Sequence, residues 1–531
     1  MSLKEDFFDR KYYLGILEKR IRDLKDGYRQ NIAMIGDELV GKTAIIFKFL
    51  NKYYDNRTLV LYLETRPETL ASFAERFIGV LLYNFLLNSG LPLKEELNFL
   101  LKKSARYIPK TAEKIRFILT ALEGRKRNDV FTELLSLCEI LHEETGKYCV
   151  VIFDEFQNLE AMEVKNIYSE WAKLLVLQKS TMYIIISSAS FRAKQVLSKN
   201  LSLLFGNFEV VTVEPFDTKV SEEYLEHKLE AIQLNVGYKN FIVNFTGGYP
   251  FYLELISEAL LRSPQTNLAD TLENLIFEPA GILNQRFSNY IKRFSSITHS
   301  QDYITILYLI ASGHNKIKDI AHLLRKPRKE LNFRIAHLVE CEAICRSGEF
   351  LKINDRVFSF WLRFVYQEKL RALTFDAKNQ KDLFRGKIEV MIQEFLLQMQ
   401  RPVIERVSEL FRLFEDETVQ IERKKIKLNS FREIKPVEFG GRHLRDGLIG
   451  RSRDNLWIMA LNYEPLTEKD VIDFSKECKK YRSRQQRRII LAFKDVDSNA
   501  HLRALEEKII TWDLNNLNQI LDLFSKPRVI L

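Results

Sequence analysis

The chain has 531 residues, more than one hydrophobic core supports; at about 150 residues per domain it holds three or four domains. Hydrophobic residues make up 46% and charged residues 29%, a balance that excludes intrinsic disorder. The formal net charge of +10 permits contact with nucleic acid without requiring it, and no uninterrupted apolar run approaches the ~18 residues of a membrane span.

The opening Met1-Ser-Leu-Lys-Glu-Asp6 is too charged for a signal peptide, so a cytoplasmic protein is expected. Five scattered cysteines, Cys138, Cys149, Cys341, Cys345 and Cys478, fit free thiols in a reducing compartment. Cys341 and Cys345 lie one helical turn apart without a second pair, and are read as packing residues.

Residues 7–215 alternate strand-like and helix-like segments. A helix is predicted over Tyr12–Leu24, and strands over Ile32–Ile35, Leu59–Leu63, Val150–Phe153, Tyr183–Ser187 and Phe208–Val213. All five are aliphatic or β-branched, which reads as an α/β domain with a parallel sheet covered on both faces. Gly36-Asp37-Glu38-Leu39-Val40-Gly41-Lys42-Thr43 follows the first strand and opens the helical pattern Ala44–Leu50. This fits the phosphate-cradling loop G-x-x-x-x-G-K-[ST]. Glycines let backbone N–H groups turn inward around an anion, and the helix N-terminus adds partial positive charge. Lys42 then reaches the terminal phosphates and Thr43 ligates Mg²⁺. Val150–Phe153 delivers Asp154 and Glu155 at its end. Asp154 is expected to hold the Mg²⁺ shell and Glu155 to activate the attacking water; the plain alternative is a solvated acidic turn.

Residues 216–296 read as helical throughout, with Ser221–Leu229, Lys239–Asn244 and Pro250–Leu261 the clearest segments. Here the chain resembles the AAA+ ATPases, in the archaeal-type branch related to signalling (STAND-like) NTPases and origin-recognition ATPases. Four stretches carry the resemblance: Phe7-Phe-Asp-Arg10, the loop Gly36–Thr43, Val150–Gln157, and Gly247-Gly-Tyr-Pro250. It implies ATP as the nucleotide, Arg10 beside the adenine, Ser187 as a sensor of the γ-phosphate, and Pro250 in a helical lid near the nucleotide. Asn207, in Leu203-Leu-Phe-Gly-Asn207, stands where the family often has an arginine. An amide cannot replace a guanidinium, so slow or partner-activated turnover is expected, with Arg192 as the candidate substitute.

From residue 297 the pattern is helix (Tyr303–Ile310), helix (Lys316–Leu324) and helix (Pro327–Ala343). A hairpin follows, with arms Cys345–Phe350 and Leu351–Ile353. Three helices and a hairpin form a winged helix. Arg325, Lys326, Arg328, Lys329 and Arg334 at its third helix are candidate contacts to DNA; a solvated basic face is the alternative. Asp355 and the aromatic run Arg356–Tyr366 resemble the family's joint to a C-terminal domain. Asp376–Lys381 is predicted as a polar linker.

Residues 376–531 resemble a restriction-endonuclease-like domain, with a first helix through Lys387–Met399, Glu389 at its acidic position and Asp446 at its metal aspartate. The active Glu-x-Lys reads Ala460-Leu-Asn462 here, so two metal-holding or water-orienting groups are missing and no cleavage is expected. Two basic clusters, 423–427 and 479–488, lie in this part.

The expected architecture is an AAA+ core (1–215), a helical lid (216–296), a winged helix with joining helix (297–375) and a degenerate nuclease-like domain (376–531). The expected function is a Mg²⁺- and ATP-dependent switch engaging double-stranded DNA, a protein partner or further copies of itself, without a membrane. The rivals are an initiator-like or transposition-associated DNA-binding ATPase, a signalling-type protein-interaction switch, and an active ATP-dependent nuclease.

Overall fold

A computed structural model describes residues 7–123, 129–162, 164–201, 208–295, 300–368, 377–421, 424–441, 443–481, 483 and 485–531. The chain divides into two compact units, Met1–Pro215 and Phe216–Leu531.

In the first unit all five predicted strands form, most of them a residue or two longer at their ends. They are β1 (Asn31–Ile35), β2 (Thr58–Glu64), β3 (Tyr148–Asp154), β4 (Thr181–Ser187) and β5 (Phe208–Thr212). Every pairing is parallel and the order is β2-β3-β4-β1-β5. β1 and β4 are buried at every position, which is why they read as unbroken apolar runs instead of alternating ones. The helix Leu70–Asn88 is apolar and long enough by composition to cross a membrane. Its Leu70, Phe73, Phe77, Leu81 and Phe85 instead lie in the core, where Phe73 meets Phe131 and Phe153 with ring centroids 6.1 and 6.0 Å apart. Parallel pairing brings the carboxyl ends of β1, β3 and β4 to one sheet edge, the place where open α/β sheets bind ligands. Register sets Ser187 beside Ile35 and Asp154 beside Glu64.

The second unit opens with five helices, Thr218–Lys228, Val236–Thr246, Pro250–Arg262, Leu268–Ile276 and Ile282–Ser295. Three more, Ser300–Ala311, Ile317–Leu324 and Arg328–Glu340, precede an antiparallel hairpin of β6 (Ile344–Ser347) and β7 (Phe350–Ile353). The turn lies at Gly348 and Glu349, so Phe350 begins the second arm instead of ending the first. Gly348 has φ +62°, and a Cβ there would lie 1.8 Å from the Thr418 carbonyl oxygen. Arg356–Trp361 continues as a π-helical turn over Leu362–Tyr366; Trp361 donates to Asn284 Oδ1 at 3.0 Å and Asp355 accepts the Phe358 N–H at 2.9 Å. The expected linker is a correction: Ala377–Lys381 belongs to the helix Ala377–Met399. Its polar residues have partners, since Lys381 pairs with Glu273 (3.0 Å) and Glu278 (2.5 Å), and Arg385 with Asp270 (2.7 Å).

After Val403–Arg412 come the hairpin β8 (Glu417–Ile421)–β9 (Lys424–Leu428) and a mixed sheet. The sheet runs β10 (Glu433–Glu438), β11 (Asp446–Arg451), β12 (Leu456–Asn462), β13 (Gln486–Ala492) and β14 (Ile509–Asp513), in that order. β10, β11 and β12 pair antiparallel; β12, β13 and β14 pair parallel, with Glu468–Lys479 and Ser498–Glu506 as the crossover helices. Alternate β12 residues enter two apolar clusters, Trp457 and Met459 in one, Ile458 and Ala460 in the other.

One polar knot crosses this unit. Asp522, at the end of the helix Leu514–Leu523, accepts from Lys352 at 2.6 Å and Arg528 at 2.9 Å, and also from Arg356. Asn244 Oδ1 receives the Arg356 guanidinium at 3.1 Å and the Arg528 N–H at 3.0 Å.

Candidate functional site

β1 runs into the loop Gly36–Gly41, and the helix Lys42–Lys52 follows. A Cβ on Gly36 would lie 2.2 Å from the Val213 carbonyl oxygen, so only glycine fits there. Gly41 (φ +89°) and Leu39 (φ +69°) are both left-handed, which turns successive backbone N–H groups toward the loop's concave side. Val40 is fully buried and anchors the loop. The helix has no side-chain N-cap, so its first amides, including those of Thr43 and Ala44, are left to an anion. Lys42, only 5% exposed, threads the loop and donates to the carbonyls of Gly36 (2.8 Å) and Asp37 (2.7 Å). Burial pulls its ammonium pKa down, against the opposing pull of Glu155 and Asp154.

Asp154 is buried at the end of β3. Its Oδ2 accepts from the Thr43 and Tyr62 hydroxyls, each at 2.9 Å, while its buried Oδ1 accepts nothing. Burial raises the Asp154 pKa, and the Tyr62 and Thr43 bonds oppose that. An unsatisfied carboxylate oxygen beside a hydroxyl that keeps its lone pairs fits a hard divalent cation. Thr43 and Asp154 are the residues that would hold Mg²⁺, which would neutralise phosphate charge. Tyr62 is a site residue that sequence reading missed: a tyrosine inside a strand reads only as a strand former. Phe47 packs on it at 5.2 Å.

Glu155 has a left-handed backbone (φ +53°), which turns its side chain out of the strand direction. Its carboxylate accepts from Gln157 Nε2 (2.6 Å), the Ser188 N–H (3.1 Å) and the Ser188 hydroxyl. Ser187, fully buried, donates to Gln157 Oε1 at 2.7 Å. The structure thus gathers Gly36–Thr43, Asp154, Glu155 and Ser187 around one sheet edge. Arg10 (φ +66°, buried) donates to the carbonyls of Val40 (3.3 Å) and Glu214 (2.7 Å), and so grips the loop from behind Val40. Pro250 lies in the second unit, at the first position of its helix after Gly247 and Gly248, both left-handed. Arg192 is half-exposed and paired with Glu160. Asn207 lies outside the described residues.

In the second unit the basic set splits. Arg325, Arg328 and Lys329 are exposed. Lys326 pairs with Asp302 (2.6 Å) and Glu330 (3.2 Å). Arg334 is a correction: it is 8% exposed and held by Asp302 (2.8 Å) and Glu330 (2.9 Å), so it braces the helix and does not reach outward. Asp446 opens β11 exposed, beside the Gly447–Ala460 pair, and Asn462 is buried with its Oδ1 accepting the Glu464 N–H at 3.2 Å. Glu389 is exposed and paired with Arg385. Among the described residues no group of three or more His, Cys, Asp or Glu side chains could hold a metal ion. Lys424, Lys425 and Lys427 are exposed, whereas Arg423, Arg482 and Arg484 lie outside the described residues.

Residues 7–256 match the model of a family described as an ATPase domain predominantly from Archaea. A search of the curated proteins finds no match. Among solved structures, the chain is similar to the Walker-type ATPase of Pyrococcus abyssi (22% identity, 68% of this chain and 97% of that one, TM-score 0.45). It is also similar to the ORC2 protein of Aeropyrum pernix with ADPNP and ADP (12%, 68% and 95%, 0.41), and to a RuvB protein of Thermotoga maritima (12%, 67% and 96%, 0.29). Residues 7–256 thus match an archaeal-type ATPase domain, whose phosphate-binding loop follows the first strand of a parallel sheet.

Proposed function

We propose that the chain binds ATP with Mg²⁺ and hydrolyses it as a molecular switch. The observation that carries this is the orphaned, buried Asp154 oxygen beside Thr43, facing a loop threaded by buried Lys42. Lys42 and the loop amides hold phosphates, Glu155 takes the proton of the attacking water, and Ser187 lies on the adjacent strand end. Arg192 is occupied by Glu160, which favours slow intrinsic turnover raised by a partner. Calorimetry on the full chain is expected to show saturable ATP binding at one site, weakened by EDTA. Phosphate release should run at or below about 1 s⁻¹. A chain that takes up no adenine nucleotide overturns the proposal.

The nucleotide state is proposed to govern engagement of duplex DNA or a partner protein through the second unit. We divide that unit into a lid (216–296), a winged helix with joining helix (297–375) and a degenerate restriction-endonuclease-like domain (376–531). Exposed Arg325, Arg328 and Lys329 at the start of the helix Arg328–Glu340 favour the DNA reading. Replacing all three by Ala is expected to weaken duplex binding at least tenfold at low salt. It should also flatten the salt slope by up to about 3, near 0.9 per lost phosphate contact. Arg334→Ala should instead lower the melting temperature. An unchanged slope in the triple variant would assign the surface to a protein.

A further inference from the structure

We propose that Gln157 is a positioning residue for Glu155, and that Ser187 divides its one proton between Gln157 and the terminal phosphate of ATP. This rests on the ATPase reading and goes beyond it by naming how the nucleotide reaches the water-activating carboxylate.

Hydrogen-bond polarity fixes the chain of contacts. A carboxylate only accepts, so the group Gln157 presents to Glu155 is its NH₂, at 2.6 Å. The amide oxygen therefore faces Ser187, and the Ser187 hydroxyl must donate to it, at 2.7 Å. The Ser187 oxygen is itself occupied by the Ala189 N–H at 3.0 Å. Its single proton is thus committed to Gln157. Ser187 is fully buried at the end of β4, next to β1, whose last residue Ile35 leads directly into the phosphate loop. A phosphate oxygen is a stronger acceptor than an amide. When it draws that proton, the half-buried Gln157 amide loses the donor to its Oε1 and re-orients. Its other end is bonded to Glu155, so the re-orientation is passed to the carboxylate. Ser188 holds the same carboxylate through its N–H and hydroxyl, and keeps Glu155 seated until Gln157 shifts. ADP lacks the phosphoryl group that competes for the proton. The arrangement therefore discriminates ATP from ADP through a residue that need not touch either.

The sign of the effect follows. Gln157→Met keeps side-chain length but removes both amide groups, so Ser187 no longer gives up a partner when it turns to phosphate. In the full chain with Mg²⁺, this variant is expected to bind an ATP analogue with a non-hydrolysable β–γ bridge about threefold to tenfold more tightly. ADP affinity should stay within about twofold, and turnover should fall roughly tenfold. In a Ser187→Ala background the same substitution should leave the analogue-to-ADP ratio unchanged, because no hydroxyl remains to be shared. Gln157→Ala repeats the measurement, and whichever variant melts like the wild type is used. Equal shifts for both nucleotides, or a ratio change that persists without the Ser187 hydroxyl, overturn the inference while leaving the ATPase reading intact. A wild-type chain that binds neither nucleotide overturns both.

Discussion

Glu155→Gln is expected to keep ATP affinity within about threefold of wild type while turnover falls about 10²- to 10⁴-fold. The substitution preserves shape: its oxygen in the Oε2 place still accepts from the Ser188 N–H and Gln157, and its NH₂ in the Oε1 place meets the Ser188 hydroxyl, which can accept. An amide carries no negative charge and cannot take a proton from water, so only the chemical step is removed. Lys42→Ala should give the opposite split. Lys42 is the buried cation inside the loop, bonded to the Gly36 and Asp37 carbonyls. Without it, phosphate charge meets carbonyl oxygens unneutralised, and binding itself is lost. Calorimetry and steady-state phosphate release on the two variants separate binding from catalysis. Undiminished hydrolysis by Glu155→Gln would remove Glu155 from its role, and undiminished binding by Lys42→Ala would move the phosphate site elsewhere.

The core sheet and its phosphate loop were legible because their signals are local. β1 and β4 are buried along their whole length and leave unbroken apolar runs. The loop needs glycine where a Cβ would strike Val213 or where φ is positive, and those needs recur at a fixed spacing. What stayed hidden depends on strand order, which no local pattern encodes. The order β2-β3-β4-β1-β5 sets β3 between β2 and β4. That adjacency brings Tyr62 to Asp154, and Ser187 to Gln157 across a separation of 30 residues. Charge misled for the same reason. Arg334 reads as a surface cation by its charge, but Asp302, on an earlier helix, holds it. Asp376–Lys381 reads as a polar linker in the sequence, but Lys381 is partnered by the distant Glu273 and Glu278.

Asp522→Ala is expected to destabilise the second unit by about 3–5 kcal/mol and lower its melting temperature by roughly 5–10 °C. The Asp522 side chain is 1% exposed and is the one carboxylate that Lys352, Arg356 and Arg528 share in this knot. Removing it leaves three cations crowded together without that carboxylate, while Asn244 Oδ1 still accepts from Arg356 and from the Arg528 backbone. Asp522→Asn should recover little, because its NH₂ would face guanidinium groups. Burial alone would push the Asp522 carboxyl pKa up, but Arg356, Arg528 and Lys352 together hold it well below the usual carboxylate range. A depressed folded-state pKa contributes stability that is fully present above the unfolded value near 4, and is lost as pH falls below it toward the folded value. The difference between wild type and Asp522→Ala should therefore be flat from pH 8 to 5 and narrow progressively below about pH 4. Thermal melts across that range check it. A gap as wide in strong acid as at neutrality would mean that Asp522 acts by filling space, because only a charge contribution disappears when the carboxylate takes up its proton.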